Sequence, residues 1–309
     1  MKSKLTFSKI STILLSAIVM GTSCQKSAVT GTSSSNNVAN TQKLNATNTA
    51  LDAAGSDDEN FDMVMGYGSY ADASDDVSNA VANSMSNATV ETGRIITYSP
   101  SKDVYPHTKI IDYGAGWTDA GITRSGKVVI TYYAPKAEAE GKFTYTTYDN
   151  FYVNGVQHQG NVQVNKVQNG NGQTVYLSIV HKTLSTADGD IKDFNSTSKR
   201  TLIDFQGGIQ NAYQIDQETT GSETYDGIES NHFKSYTDDA NPIIKMIGYK
   251  FRVQGGLISE IHLANSNPNN LDEYLDYGNG ALDNSATLSI NGSDAQTVLL
   301  PLQFWPLRL

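Results

Sequence analysis

Cysteine is almost absent from this chain, since Cys24 is the only one among 309 residues. A lone cysteine cannot form an intramolecular disulfide, so the core alone must stabilise the fold. The five histidines are at least 23 residues apart, and this argues against the close spacing that is typical of zinc sites. Gly-x-Ser-x-Gly and phosphate-binding Gly-Lys-Ser motifs are also missing, so no signature of an enzyme is present.

Long apolar runs and excess positive charge are lacking too. No run approaches the roughly 20 apolar residues that a membrane-spanning helix needs. The chain has 22 basic and 32 acidic residues, and removing the three lysines of residues 1–23 changes the net charge from −10 to −13. Such an acidic chain argues against binding to nucleic acid and against electrostatic docking on anionic lipid.

The N-terminus has the pattern of a lipoprotein signal peptide over residues 1–23. Three lysines precede the short apolar run 13–20, and two small residues come directly before Cys24. Gly21 stands where such signals usually have a Leu-like residue. The pattern predicts cleavage before Cys24 and attachment of acyl chains to it, which would anchor the protein durably to a membrane of the cell envelope.

The residues after the cysteine bear on location. Residues 25–28 (QKSA) lack the acidic cluster of a surface-export signal, so the periplasmic side is slightly favoured over the cell surface. Gln25 in place of an aspartate agrees with retention in the outer membrane.

Composition divides the rest of the chain into three parts. Residues 24–56 are rich in Ser, Thr, Asn and Ala, which predicts a disordered, flexible tether. Residues 57–92 form an acidic, partly helical segment, with apolar side chains at helical spacing over 77–85. Residues 93–309 alternate apolar and polar side chains in the way that strands do, and form the predicted β domain.

The β domain is predicted to be an antiparallel meander. Val175, Leu177 and Ile179 share one face of a strand, and Phe143 and Tyr145 are predicted to share another. Turn pairs such as Asn154-Gly155 fall between the runs and are typical of tight hairpins. The expected fold class is therefore all-β, as a sandwich or an open barrel, preceded by a short helix and the tether.

One motif occurs twice. Residues 111–116 (IDYGAG) are echoed by residues 275–280 (LDYGNG), with a looser third copy at 203–208. The favoured interpretation is a strand and turn in which Asp112 and Asp276 cap their own turns. The alternative is a pair of symmetric ligand-binding loops.

Several motifs together resemble a family of uncharacterised lipoproteins from Bacteroidota. They are residues 123–132 (TRSGKVVITY), 148–156 (YDNFYVNGV) and 276–280 (DYGNG), followed by 283–292. The resemblance covers roughly residues 105–300 and implies a Gram-negative source, but no activity or catalytic residue. Family members often have cysteines where this chain has Gly116-Trp117 and Ala281-Leu282, so any disulfide of the family is absent here.

Two sets of residues are weak candidates for a site. Asp188, Asp190 and Asp193 place three carboxylates in six residues and could hold calcium, but the distal glutamate of a calcium loop is missing and a charged hairpin turn is favoured. Tyrosines crowd the region 132–152, and exposed rings there could bind a glycan or a partner. The candidates among them are Tyr145, Tyr148 and Tyr152.

These patterns favour an envelope-anchored lipoprotein that is a non-enzymatic binding or structural β protein, with no cofactor and no metal. Its partners would be the membrane, through the lipid on Cys24, and a glycan, an apolar ligand or a protein. The alternative is a hydrolase acting on glycan or peptide. A flat, exposed face lined with tyrosines would favour binding, and a cavity inside the barrel would favour an apolar ligand. A deep cleft in which carboxylates of raised pKa converge would favour a hydrolase.

Overall fold

The computed structural model describes residues 52–67, 88–91, 93–119, 121–137, 140–225, 228–264 and 270–300. One helix, α1, covers residues 52–65 and precedes the strands. The strands are β1 (Ala88–Glu91), β2 (Arg94–Ser99), β3 (His107–Asp112), β4 (Trp117–Asp119), β5 (Ile122–Tyr132), β6 (Gly141–Val153), β7 (Val156–Gln168), β8 (Thr174–Ser185), β9 (Ile191–Phe205), β10 (Gly208–Tyr225), β11 (Ile228–Thr237), β12 (Ile243–Met246), β13 (Gln254–Leu263), β14 (Asn270–Asn279), β15 (Ser285–Ile290) and β16 (Gln296–Leu299).

The strands form one continuous antiparallel sheet in chain order. Only β4, which pairs with β5, and β12, which pairs with β10 and β13, leave this path. Asn154 and Gly155 have φ angles of 50° and 83°, as the turn between β6 and β7 requires. The predicted all-β meander is therefore confirmed. The described strands do not form a sandwich of two separate sheets.

The sheet curves around α1. Tyr132 of β5 donates a hydrogen bond to the carbonyl of Val64 at 2.8 Å, and the ring centroid of Tyr213 on β10 lies 5.2 Å from that of Phe61. Five strand spacings separate β5 from β10, or about 24 Å in a flat sheet, whereas a helix with its side chains is about 10–12 Å wide. The sheet must bend for both strands to reach one helix, and the core lies between them.

Helix α1 ends at a glycine. Gly66 has a φ of 70°, which a residue with a side chain adopts at a cost. The amide of Tyr67 donates to the carbonyl of Asp62 at 2.9 Å, and that of Gly66 donates to Met63 at 3.4 Å. This is the Schellman arrangement, in which a left-handed glycine satisfies the last carbonyls of a helix.

The structure corrects two expectations about local structure. Residues 52–56 belong to α1 and are largely buried, although their composition predicts the end of the tether. The predicted helix over 77–85 lies outside the described residues.

Phe143 and Tyr145 do not share a face, because the register shifts between Lys142 and Thr144 and places Phe143 inside with Thr144. Such a bulge breaks the alternation of side chains.

The repeated motif is a pair of matching turns. The amide of Gly114 donates to the carboxylate of Asp112 at 2.8 Å, and the amide of Gly278 donates to Asp276 at the same distance. Each aspartate thus caps its own turn, as the structural interpretation predicts.

Candidate functional site: the charged interior and the outer groove

Helix α1 carries five carboxylates into the interior of the sheet, and each meets a cation. The shortest oxygen-to-nitrogen distances are 2.6 Å for Asp52 and Lys192, 2.9 Å for Asp57 and Arg200, 2.8 Å for Asp58 and Arg200, 2.8 Å for Glu59 and Arg124, and 2.7 Å for Asp62 and Lys245. The second oxygen of Asp58 accepts from Arg252 at 2.9 Å. The helix is therefore held by charge as well as by its apolar side chains.

The carboxylates of α1 complement an excess of positive charge inside the β domain. Outside the helix, three carboxylates are buried: Asp190, Glu223 and Glu273. Eight cations are buried there: Arg94, Lys109, Arg124, Lys182, Lys192, Arg200, Lys245 and Arg252. The β domain thus has an excess of five buried positive charges, and α1 faces it with five carboxylates, of which Asp52, Asp57 and Asp58 are buried and Glu59 and Asp62 are partly exposed. Because an uncompensated buried charge is costly, the helix neutralises an interior that would otherwise repel itself.

The pKa values of the interior groups follow from burial and from these partners. Burial opposes ionisation of Asp58, but Arg252, Arg200 and Lys245 outweigh it and hold the pKa of Asp58 below its usual range. Burial raises the pKa of Asp62 to about 6, because Lys245 offsets only part of the loss of water. Both carboxylates lie on α1, and their pKa values shift in opposite directions because more cations surround Asp58 than Asp62.

A second group of interior residues surrounds Lys182. Its ammonium donates to the hydroxyl of Ser56 at 2.6 Å and lies 4.8 Å from the centre of the Tyr148 ring. Burial lowers the pKa of Lys182 to about 8, although Glu59 and Asp57 oppose the shift. A serine beside a lysine of lowered pKa is an arrangement found in nucleophilic catalysis. Ser56 has 0% of its surface exposed, however, so a substrate cannot reach its hydroxyl.

His158 lies beside this pair and is neutral. Neither ring nitrogen has a hydrogen-bond partner, and burial, together with Lys182 and Arg124, lowers the pKa of His158 well below its usual value. The ring packs edge-on against Phe151 and Tyr148, at centroid distances of 5.4 and 6.3 Å. These contacts make it a core residue.

The three tyrosines that the sequence offers as candidate binding residues lie in different surroundings. Tyr148 lies inside, where its hydroxyl donates to the side-chain oxygen of Asn60 on α1. Tyr145 is half-buried on the outer face, and the ammonium of Lys142 lies 5.1 Å from its ring centre. Tyr152 is also half-buried. Because Tyr148 lies inside the sheet, it cannot contact a ligand at the surface, whereas Tyr145 and Tyr152 stay candidates.

The three aspartates that are weak candidates for calcium binding also lie in different surroundings. Asp188 is exposed in the turn between β8 and β9, and Asp190 is buried. Asp193 faces outward and accepts a hydrogen bond from Thr183. Across the described residues, no three His, Cys, Asp or Glu side chains come together as metal ligands would. The turn is explained as a charged hairpin.

The outer face of the sheet carries a row of side chains in register, which we call the outer row. The strand pairings place side by side Tyr145, Gln163, Ile179, Thr197, Glu218, Tyr236, Ile258 and Tyr274. Three of the eight are tyrosines, and Ile179 is 39% exposed. Cross-strand neighbours are about 5 Å apart, so the row is a continuous strip across the strands.

A groove of about 640 Å³, which we call the outer groove, contains the middle of this row. Its outward-facing lining residues come from β7 to β13 and include Asn165, Leu177, Ile179, Thr197, Lys199, Asp216, Glu218, Lys234, Tyr236, Asp239 and Glu260. Four carboxylates and two lysines give this lining an excess of two negative charges.

Contacts within the outer groove hold Tyr236 in place. Its hydroxyl donates to Glu260 at 2.9 Å, and Lys234 lies 5.5 Å from its ring centre while pairing with Glu218 at 3.4 Å. Sequence reasoning missed this residue, because its neighbours lie on other strands and only the register brings them together.

Comparison with known proteins gives no match: neither a family model, nor a curated protein, nor a solved structure matches this chain. The resemblance to Bacteroidota lipoproteins stays a prediction, and Cys24 lies outside the described residues. No helix of the described part is long and apolar enough to cross a membrane.

Proposed function

We propose that this chain is a lipoprotein, anchored at Cys24, whose β domain binds a glycan at the outer groove without catalysing a reaction. The observation that carries the proposal is the outer row, in which Tyr236 lies in a groove lined with polar side chains. Tyrosine rings offer flat apolar faces to the C–H groups of sugars, and carboxylates, amides and ammonium groups bond their hydroxyls. Outer-membrane anchoring facing the periplasm remains the favoured location.

The other ligands and activities from the sequence have less support. An apolar ligand would need a cavity inside the sheet, and α1 occupies the concave face there. For a hydrolase, the Ser56–Lys182 pair is closed to solvent, and two of the four carboxylates of the outer groove are engaged, Glu218 with Lys234 and Glu260 with the hydroxyl of Tyr236. The outer groove is open and polar, which suits a hydrated ligand.

Binding at the groove is tested with the soluble Cys24→Ser chain. We expect at least one neutral oligosaccharide of a glycan panel to raise the melting temperature and to give a dissociation constant by calorimetry. Tyr236→Ala should weaken that binding by about tenfold, because it removes one stacking contact and its hydrogen bond. Tyr152→Ala, which changes a half-buried tyrosine off the row, is the matched control. A panel without any binder would refute the glycan proposal.

The anchor is tested separately in cells. The unaltered chain should be recovered with membranes and incorporate labelled palmitate, whereas the Cys24→Ser chain should do neither. Equal labelling of the two chains would contradict lipidation at Cys24 and would leave the groove proposal unaffected.

A further inference from the structure

The outer groove is long in one direction. Its lining begins at Asn165 on β7 and ends at Glu260 on β13, so it crosses six consecutively paired strands. Five strand spacings correspond to about 24 Å. Its length therefore lies across the strands, in the direction of the outer row.

Tyrosines lie one strand beyond each end of the groove. Tyr145 on β6 pairs with Gln163, whose side chain donates to Asn165 at 3.0 Å. Tyr274 on β14 pairs with Ile258, which in turn pairs with Tyr236. The hydroxyl of Tyr274 donates to Asp238 at 3.0 Å, next to the groove residue Asp239. Both ends of the groove thus continue into an aromatic side chain on the same row.

We propose that the ligand of this groove is an extended, neutral polysaccharide that lies across the strands, with about one sugar per strand and rings at Tyr145, Tyr236 and Tyr274. This inference rests on the proposed glycan-binding function and adds the form of the ligand. A hexose in an extended chain is about as long as the spacing of strands. Tyr145 and Tyr236 are five pairings apart, and Tyr236 and Tyr274 are two pairings apart, so a chain must be several sugars long to touch two of them.

Charge selects the kind of polysaccharide. Asp216, Glu218, Asp239 and Glu260 outnumber Lys199 and Lys234 in the lining. Lys234 is already paired with Glu218 at 3.4 Å, and Lys199 lies opposite Asp216 across the strands. A glycan that carries uronic acids would bring like charge to the two carboxylates that remain, so neutral sugars fit the groove better.

The test is a length series of one neutral oligosaccharide, from two to eight sugars, titrated into the Cys24→Ser chain by calorimetry. We expect the dissociation constant to fall by about tenfold or more between two and six sugars, as each added contact strengthens binding. Tyr145→Ala and Tyr274→Ala should each weaken the longest chains severalfold and leave the shortest unchanged. Tyr152→Ala should have no effect at any length.

The outcomes separate this inference from the function on which it rests. If disaccharides bind as tightly as octasaccharides, the groove takes a short glycan and the inference is wrong, while the proposed function stands. If a uronic-acid series binds more tightly than the neutral one at equal length, the charge argument fails. If no sugar of any length binds, the proposed function itself is refuted.

Discussion

Arg200→Met is expected to lower the free energy of unfolding by about 3–5 kcal/mol. Arg200 pairs with Asp57 and Asp58 at 2.9 and 2.8 Å, and it also donates to Ser198 at 2.6 Å. Methionine fills much of the volume, so the loss is mainly electrostatic: Asp57 would be left buried without its cation. Removing one partner of a buried pair has this order of cost. Urea denaturation of the Cys24→Ser chain measures the change.

The matched control is Lys234→Met on the outer face. Lys234 also pairs with a carboxylate, that of Glu218, but the two side chains are 45% and 57% exposed. An exposed pair contributes about 0–1 kcal/mol, so this variant should unfold at nearly the unaltered urea concentration. Equal effects of the two substitutions would show that burial of the Arg200 pair is not what stabilises the helix in the sheet.

Lys182→Met is expected to have the opposite effect to Arg200→Met and to raise the free energy of unfolding by about 1–3 kcal/mol at pH 7. Burial lowers the pKa of Lys182 from 10.5 to about 8, so keeping the ammonium charged inside the fold costs on the order of 3 kcal/mol. Methionine removes this cost but also the hydrogen bond to Ser56, which offsets part of the gain. The nearby Asp57 and Glu59 keep Arg200 and Arg124.

The pH dependence identifies the cause. Between pH 8 and 10 the folded state has released the proton of Lys182 while the unfolded state still binds it, so the stability of the unaltered chain should rise with pH. In the Lys182→Met chain this rise should be smaller, and what is left of it comes from Lys250, whose pKa burial also lowers. Buried tyrosines such as Tyr113, whose pKa burial raises to about 12, act in the opposite sense above pH 10. Identical pH profiles below pH 10 would contradict the lowered pKa.

The sheet could be predicted from the sequence because its causes are local. Alternating side chains and turns such as Asn154-Gly155 act over a few residues, and neighbouring strands in the chain pair with each other. The bulge at Phe143 was not predicted, since it depends on how β6 meets both of its neighbours.

The helix and its surroundings could not be predicted, because their causes are distant in the chain. From the sequence alone, Asp58 and Asp62 have the pattern of surface residues, because their partners Arg252 and Lys245 are far away in the chain. Asp58 is 194 positions from Arg252. Tyr145 was a candidate from its crowded neighbourhood and does lie on the outer row. Tyr236 and Tyr274 were not, because only the strand register aligns them with it.

The position of α1 gives the proposed anchor a mechanical consequence. In a chain held by lipid at Cys24, tension along the polypeptide enters the described fold at Asp52, whose carboxylate is 2.6 Å from the ammonium of Lys192. A force along the helix axis would load its ion pairs simultaneously, whereas peeling the helix away would break them one after another. The attachment to the membrane would thus pass through the centre of the β domain, and extracting the helix would leave a net excess of five positive charges inside the sheet.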